Sequence, residues 1–142
     1  MPPLLVSIKP RYIERILTGT KTVELRKRSA RIEPGTHILL YSTAPTCAVV
    51  GEARIAFRER LALDELWDRH GAAAAGTRAE FDAYYACADE GVTLGLQDVH
   101  RYTRSLSLGA LRRADAGFRP PQSSMQAPRS LARLLSRLRR PR

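Results

Sequence analysis

An ammonium, a carboxylate and a guanidinium fall within six residues of one another in the stretch Gly19-Thr20-Lys21-Thr22-Val23-Glu24-Leu25-Arg26. Such a set either binds a polyanion or moves protons. A lysine serves as base or nucleophile only when burial or a nearby cation lowers its pKa from about 10.4. Arg26, Lys27 and Arg28 are close enough in sequence to act in that direction, and Glu24 opposes them. A carboxylate in the middle of a purely phosphate-binding surface is repulsive. Glu24 therefore points to a narrower role, either orienting Lys21 or Arg26 or accepting hydrogen bonds from a base edge. Thr22, Glu24 and Arg26 are two residues apart and share one face of a strand. Lys21 joins them if it belongs to the Gly19 turn, and faces away if the strand already includes it. The plainer alternative is an ion pair at the end of the sheet, worth about 0–1 kcal/mol if exposed.

Further candidates lie elsewhere. Lys9 and Arg11 flank Pro10 at a helix start, where cations and free backbone N–H groups suit a phosphate or are simply solvated. Tyr41 and Ser42 end a strand, and Tyr41 either stacks a base or belongs to the core. Gln122 and Ser123 can hydrogen-bond a base or cap the barrel. Trp67, Phe81, Tyr84 and Tyr85 recur at helical spacing and are expected between helices as core.

The elements that must position these residues follow from periodicity. Leu4 to Ile8 reads as a buried strand. Pro10 to Leu17 reads as a helix with Ile13, Ile16 and Leu17 on one face and Gly19 as its stop. Thr22 to Arg26 and Thr36 to Ser42 read as strands around a Glu33-Pro34-Gly35 turn. Cys47 to Phe57 reads as a long strand with a bulge at Gly51. Leu63 to His70 is helical and is expected to end at Gly71. Thr77-x-x-Glu80 is a capping-box signature opening a helix to Ala88. Gly91 to Tyr102 returns to strand, and Ser107 caps a short helix to Arg113. Pro120-Pro121 forbids helix over 118–124. Arg129 to Arg140 reads as an amphipathic helix, with Leu131, Leu134, Leu135 and Leu138 on one stripe and arginines opposite. Strands first and last with helices between indicate an α+β fold, a small β-barrel with inserted helices.

The chain has 142 residues and a net charge of +10, from 21 Arg and 3 Lys against 14 acids. Six of those arginines lie in 129–142, which leaves only +4 for the rest. This divides the chain into a domain over residues 1–124 and an Arg-rich tail over 125–142. The charge favours polyanionic partners. The tail suits nucleic acid, an anionic membrane surface or a protein, or docks its leucines on the body. A helix of about a dozen residues is marginal alone, so the tail is expected to be partly disordered until something binds it. Cys47 and Cys87 are forty residues apart and are expected as buried free thiols, and His37, His70 and His100 are scattered. No metal site and no cofactor are expected. No apolar run reaches the roughly 20 residues of a membrane helix, and no signal peptide is visible. A cytoplasmic location is expected.

The order of landmarks resembles the ASCH domain superfamily. Ser7-Ile8-Lys9-Pro10, a helix, and Gly19-x-Lys21-Thr22-x-Glu24-x-Arg26 carry the resemblance. Leu40-Tyr41-Ser42-Thr43-Ala44-Pro45, Val49-Val50-Gly51-Glu52 and Phe118-Arg119-Pro120-Pro121-Gln122-Ser123 extend it over roughly residues 4 to 124. The resemblance implies a PUA-like β-barrel, a cleft lined by the Gly-x-Lys-x-x-Glu-x-Arg strand, and a role in RNA binding or processing. Some members resemble amidohydrolases of acetylated cytidine that use a Lys, a Thr and a Glu; others are ribonucleases. Here Lys21 matches that lysine and Glu24 stands in the place of the threonine. The stretch 71–76, where the distal Glu would fall, holds only Gly and Ala. The leading expectation is a basic cleft for RNA or a nucleotide-like ligand, single-stranded rather than duplex, with a regulatory role linked to RNA. The alternative is a metal-independent hydrolase of RNA or a modified nucleoside using Lys21 and Glu24. A sensor of a small nucleotide-like ligand is a third possibility.

Overall fold

A computed structural model describes residues 2–28 and 32–138. The elements run β1 (Leu4–Ile8), α1 (Pro10–Leu17), β2 (Val23–Arg26), β3 (His37–Ser42), β4 (Ala48–Ala62), α2 (Leu63–Ala74), α3 (Arg78–Tyr84), β5 (Glu90–Ser107), α4 (Leu108–Ala114), β6 (Ser124–Gln126) and α5 (Ala132–Leu138), with one 3-10 turn at Arg129–Leu131. The strands form one sheet in the order β2-β5-β4-β3-β1-β6. The β1–β3 pair is parallel and the others are antiparallel.

Strand alternation explains two cores. Val6, Ile8, Ile38, Leu40, Ile55, Val92 and Leu94 face one side and pack with Ile13 and Ile16 of α1. Leu5, Leu39, Tyr41 and Val49 face the other, against Leu111, Phe118, Leu131 and Leu135. Both faces are covered, so β1 and β3 read as unbroken apolar runs. A smaller cluster of Leu66, Phe81 and Tyr85 joins α2 and α3.

The fold class is α+β and PUA-like, but the ladder does not close into a barrel. β2 and β6 are the edges of the sheet. They have only four and three residues. A side chain spans the gap instead. Arg26 on β2 donates through Nη2 to the Ser7 carbonyl on β1 (3.0 Å) and through Nη1 to Ser123 Oγ (3.3 Å). The curl comes from register shifts in the β4–β5 pair, one between Val49 and Gly51. A Cβ at Gly51 would stand 2.5 Å from the His100 carbonyl oxygen and 2.9 Å from Leu17. The strand therefore needs glycine where it bends.

Other boundaries moved for identifiable reasons. α2 runs through Gly71 to Ala74 and ends at Ala75 in the left-handed region (φ 57°). Gly71 is needed for closeness rather than termination, since a Cβ there would sit 2.7 Å from the Trp67 ring. The capping box at Thr77 and Glu80 forms as expected, but α3 stops at Tyr84. Ser107 Oγ caps α4 by accepting from the Ala110 N–H. Strand β6 has no signal in the sequence, because three residues beside paired prolines show no period. Cys87 is exposed and Cys47 partly buried, so the thiols are less enclosed than expected. The leucine stripe docks: Leu131 is fully buried and Leu135 is 5% exposed. Residues 139–140, the end of the expected helix, lie outside the described residues, as do 141–142. Among the described residues no helix is long and apolar enough to cross a membrane.

Candidate functional site

The gap between β2 and the β1–β6 edge opens into a cavity of about 790 Å³, within the range of small-molecule and cofactor sites. α2 and α3 form its far wall. Lys9, Arg11, Lys21, Glu24, Arg26 and Gln122 line it, so six of the ten sequence candidates meet there. Ser123 contacts it through Arg26. Thr22 is exposed outside it, because β2 begins only at Val23. Tyr41 belongs to the second core, where burial pushes its phenol pKa up to about 12. Ser42 is buried in register with Ile8, and the cavity takes the next residue, Thr43.

Lys21 belongs to the turn. Gly19 adopts φ +85°, and the Lys21 N–H donates to the Arg15 carbonyl at 2.8 Å. This turns the side chain under α2 rather than along β2. Nζ donates to the Ala74 carbonyl at 2.9 Å and lies 3.7 Å from Glu24 Oε1. The Thr22 N–H reaches the Ala73 carbonyl at 2.9 Å, and Arg15 Nη1 reaches that of Ala75 at 3.0 Å. Three donors thus satisfy the C-terminal carbonyls of α2, which also carry the negative end of its dipole. The all-small stretch 71–76 supplies backbone acceptors to the site.

Lys21 is 4% exposed. Loss of solvent holds its pKa below the ordinary lysine value of 10.5, aided by Arg15 and Arg26 and opposed by Glu24. Glu24, also buried, accepts from the Leu25 N–H (3.2 Å) and from Arg26 Nη2 (3.4 Å). It therefore orients both cations from the centre of the set.

The opposite wall contains residues the sequence reading missed. Tyr12 Oη donates to Glu80 Oε2 at 3.1 Å and accepts from Arg11 Nη2 at 3.0 Å. Its ring has Arg11, Arg15 and Lys21 at 4.7, 5.5 and 5.3 Å from the centroid. Glu80 supplies a second carboxylate, its pKa lowered by the Thr77 N–H and the Tyr12 hydroxyl. Trp67, Phe81 and Tyr84 also line the cavity. The expectation that all four α2–α3 aromatics are core fails at Tyr84, which is 41% exposed. Its hydroxyl accepts from the Lys27 N–H, and Lys27 Nζ stands 5.2 Å from its ring. The i, i+3 spacing of Tyr12 and Arg15 was the available signal for Tyr12; none marked Tyr84. Among the described residues no three His, Cys, Asp or Glu side chains gather as a metal-binding set.

A family model described as a domain of unknown function, DUF365, matches residues 4–113. A protein of Zymomonas mobilis named ASCH domain-containing ribonuclease is 30% identical over 118 residues, 83% of this chain and 79% of that protein. The chain belongs to the ASCH domain family. The crystal structure of ASCH from Zymomonas mobilis superposes with a TM-score of 0.88 at 26% identity, covering 95% of this chain and 94% of that one. A tyrosine-to-phenylalanine variant of that protein superposes at 0.90 and 25% identity, covering 97% and 99%. The open, curled sheet is the architecture this ASCH domain shares with them.

Proposed function

We propose that this ASCH domain binds single-stranded RNA, with one nucleotide lodged in the cavity between β2 and the α2–α3 pair. The observation that carries this reading is the pairing of cations and rings in one cavity. Lys9, Arg11 and Arg26 offer positive charge to a phosphate, while Tyr12 and Tyr84 offer rings to a base. A base buried in a double helix cannot reach such a cavity, which favours single strands. The 30% identical relative named a ribonuclease supports RNA as the polymer. A regulatory role linked to RNA would follow from binding alone.

A second reading, cleavage, is favoured by the burial of Lys21. A lysine with a lowered pKa carries its lone pair at a lower pH than a free one. In this reading Lys21 takes the proton of the 2′-hydroxyl, whose oxygen attacks the adjacent phosphorus. The bond to the 5′-oxygen breaks, and that oxygen receives the proton back from the lysine. The products are a 2′,3′-cyclic phosphate and a free 5′-hydroxyl. Arg26 steadies the charge on the phosphorus oxygens, and Glu24 holds Lys21 and Arg26 in place. The reaction requires no metal.

The test is a fluorescent RNA 20-mer, single-stranded or annealed to its complement, incubated with the protein in EDTA. Binding and product are scored separately. Tighter binding of the single strand supports the first reading, and preference for the duplex overturns it. A cyclic-phosphate product that Lys21→Met abolishes supports cleavage; activity that requires an added divalent ion overturns it.

A further inference from the structure

The net charge is not spread over the molecule. Residues 1–98 hold 13 basic and 13 acidic side chains, whereas residues 99–142 hold 11 arginines and a single acid, Asp115. The structure places much of that excess on one module. α4 and α5 turn Leu111, Leu131 and Leu135 into the second core. Ser130 Oγ donates to Asp115 Oδ2 at 3.0 Å and ties the 3-10 turn before α5 to the end of α4. Arg112, Arg113, Arg119, Arg129, Arg133 and Arg137 remain exposed. Among the described residues none of the six is in an ion pair with a carboxylate. Asp115 is engaged by Ser130 and by the Gly117 N–H. The face also reaches the cavity. Arg119 is three residues before Gln122, which lines the mouth. That separation is about 10 Å at most for extended chain.

We propose that the α4–α5 face docks the sugar–phosphate backbone of single-stranded RNA, taking the strand as it leaves the cavity past Gln122. This rests on the RNA reading of the cavity and adds a second contact to it. An unpaired, exposed arginine row attracts phosphates without reading bases. The leucines hold the row on the body, so it is presented already ordered.

Deleting the segment would expose the second core, so the test uses side-chain replacement. Arg129→Gln, Arg133→Gln and Arg137→Gln are combined in one variant, with an unchanged melting temperature as the check on folding. Binding of an RNA trinucleotide and of a 20-mer is titrated against salt for both proteins. Each phosphate contact on a single strand contributes about −0.7 to the slope of log K against log salt, so losing three flattens the 20-mer slope by about 2. The trinucleotide, too short to leave the cavity, binds both proteins alike. An unchanged 20-mer slope overturns the docking face, while trinucleotide binding by itself keeps the cavity reading standing. A wild-type protein that binds neither RNA overturns both. Loss of binding to phosphatidylserine vesicles with an unchanged RNA slope assigns the face to a membrane and overturns the proposal.

Discussion

Of the cations that line the cavity, Lys21 and Arg26 are matched with a carboxylate among the described residues and Lys9 and Arg11 are not, and two further arginines beside it are also matched. Lys21 and Arg26 stand 3.7 and 3.4 Å from Glu24, Arg15 stands 3.9 Å from Glu80, and Arg78 stands 3.3 Å from Asp64. On the α4–α5 face the described arginines have no such partners. Paired charge fixes geometry and projects little field. Unpaired charge projects a field and fixes little. A protein that must both capture a polyanion and hold one unit of it in register can divide the work this way. In the proposed RNA reading, the cavity half decides what is held, and the arginine half how quickly and how salt-sensitively it arrives.

The sharpest way to break this comparison is to ask whether the charged half is part of the fold. Leu135→Ala removes a buried side chain of the second core, so urea unfolding should show a loss of about 2–5 kcal/mol. A change under about 0.5 kcal/mol would mean that α5 is not docked. Next in size is Lys21→Met, which keeps the volume and deletes the charge. RNA affinity measured by anisotropy should fall at least tenfold, about 1.4 kcal/mol, with the salt slope of long RNA largely preserved. Wild-type affinity would remove Lys21 from the site. Tyr84→Ala sharpens the same contrast: losing one stacking ring costs about 1 kcal/mol or a little more. That amounts to roughly fivefold to tenfold on trinucleotide and 20-mer alike. An effect confined to the 20-mer would move Tyr84 from the cavity to the strand's path.

The smallest effect is on pH. Lys21 titrates below 10.5 when folded, so between its folded pKa and 10.5 the unfolded chain binds more protons. Wild-type stability therefore gains with rising pH across that window relative to Lys21→Met. Denaturant melts of both proteins from pH 7 to 10 read the difference. A flat or falling difference would show that burial does not depress the lysine.

Much of the fold was legible because its signals are local. Gly19, the Thr77–Glu80 capping box and the unbroken apolar run of β3 each name their own geometry. The charged motif was legible as a set, since Lys21, Glu24 and Arg26 do converge. The side Lys21 takes depends on one backbone bond from its N–H to Arg15, which no period reports. The far wall was hidden for a similar reason. Tyr84 and Tyr85 are neighbours in a helical pattern, yet the helix ends between them, and only Tyr85 enters the cluster with Leu66 and Phe81. Tyr12 meets Glu80 across 68 positions of sequence. That contact exists only once the sheet has curled.

The bond from Lys21 Nζ to the Ala74 carbonyl has a chemical corollary. An ammonium has three hydrogens and no lone pair; an amine has two hydrogens and one lone pair. Nζ has two acceptors nearby, the Ala74 oxygen at 2.9 Å and Glu24 Oε1 at 3.7 Å. The Ala74 oxygen can keep its hydrogen after the proton leaves, so the end of α2 stays capped in either state, while the ion pair with Glu24 is lost. The position freed by deprotonation is the one without an acceptor. A change of protonation at Lys21 thus need not disturb the wall that surrounds it.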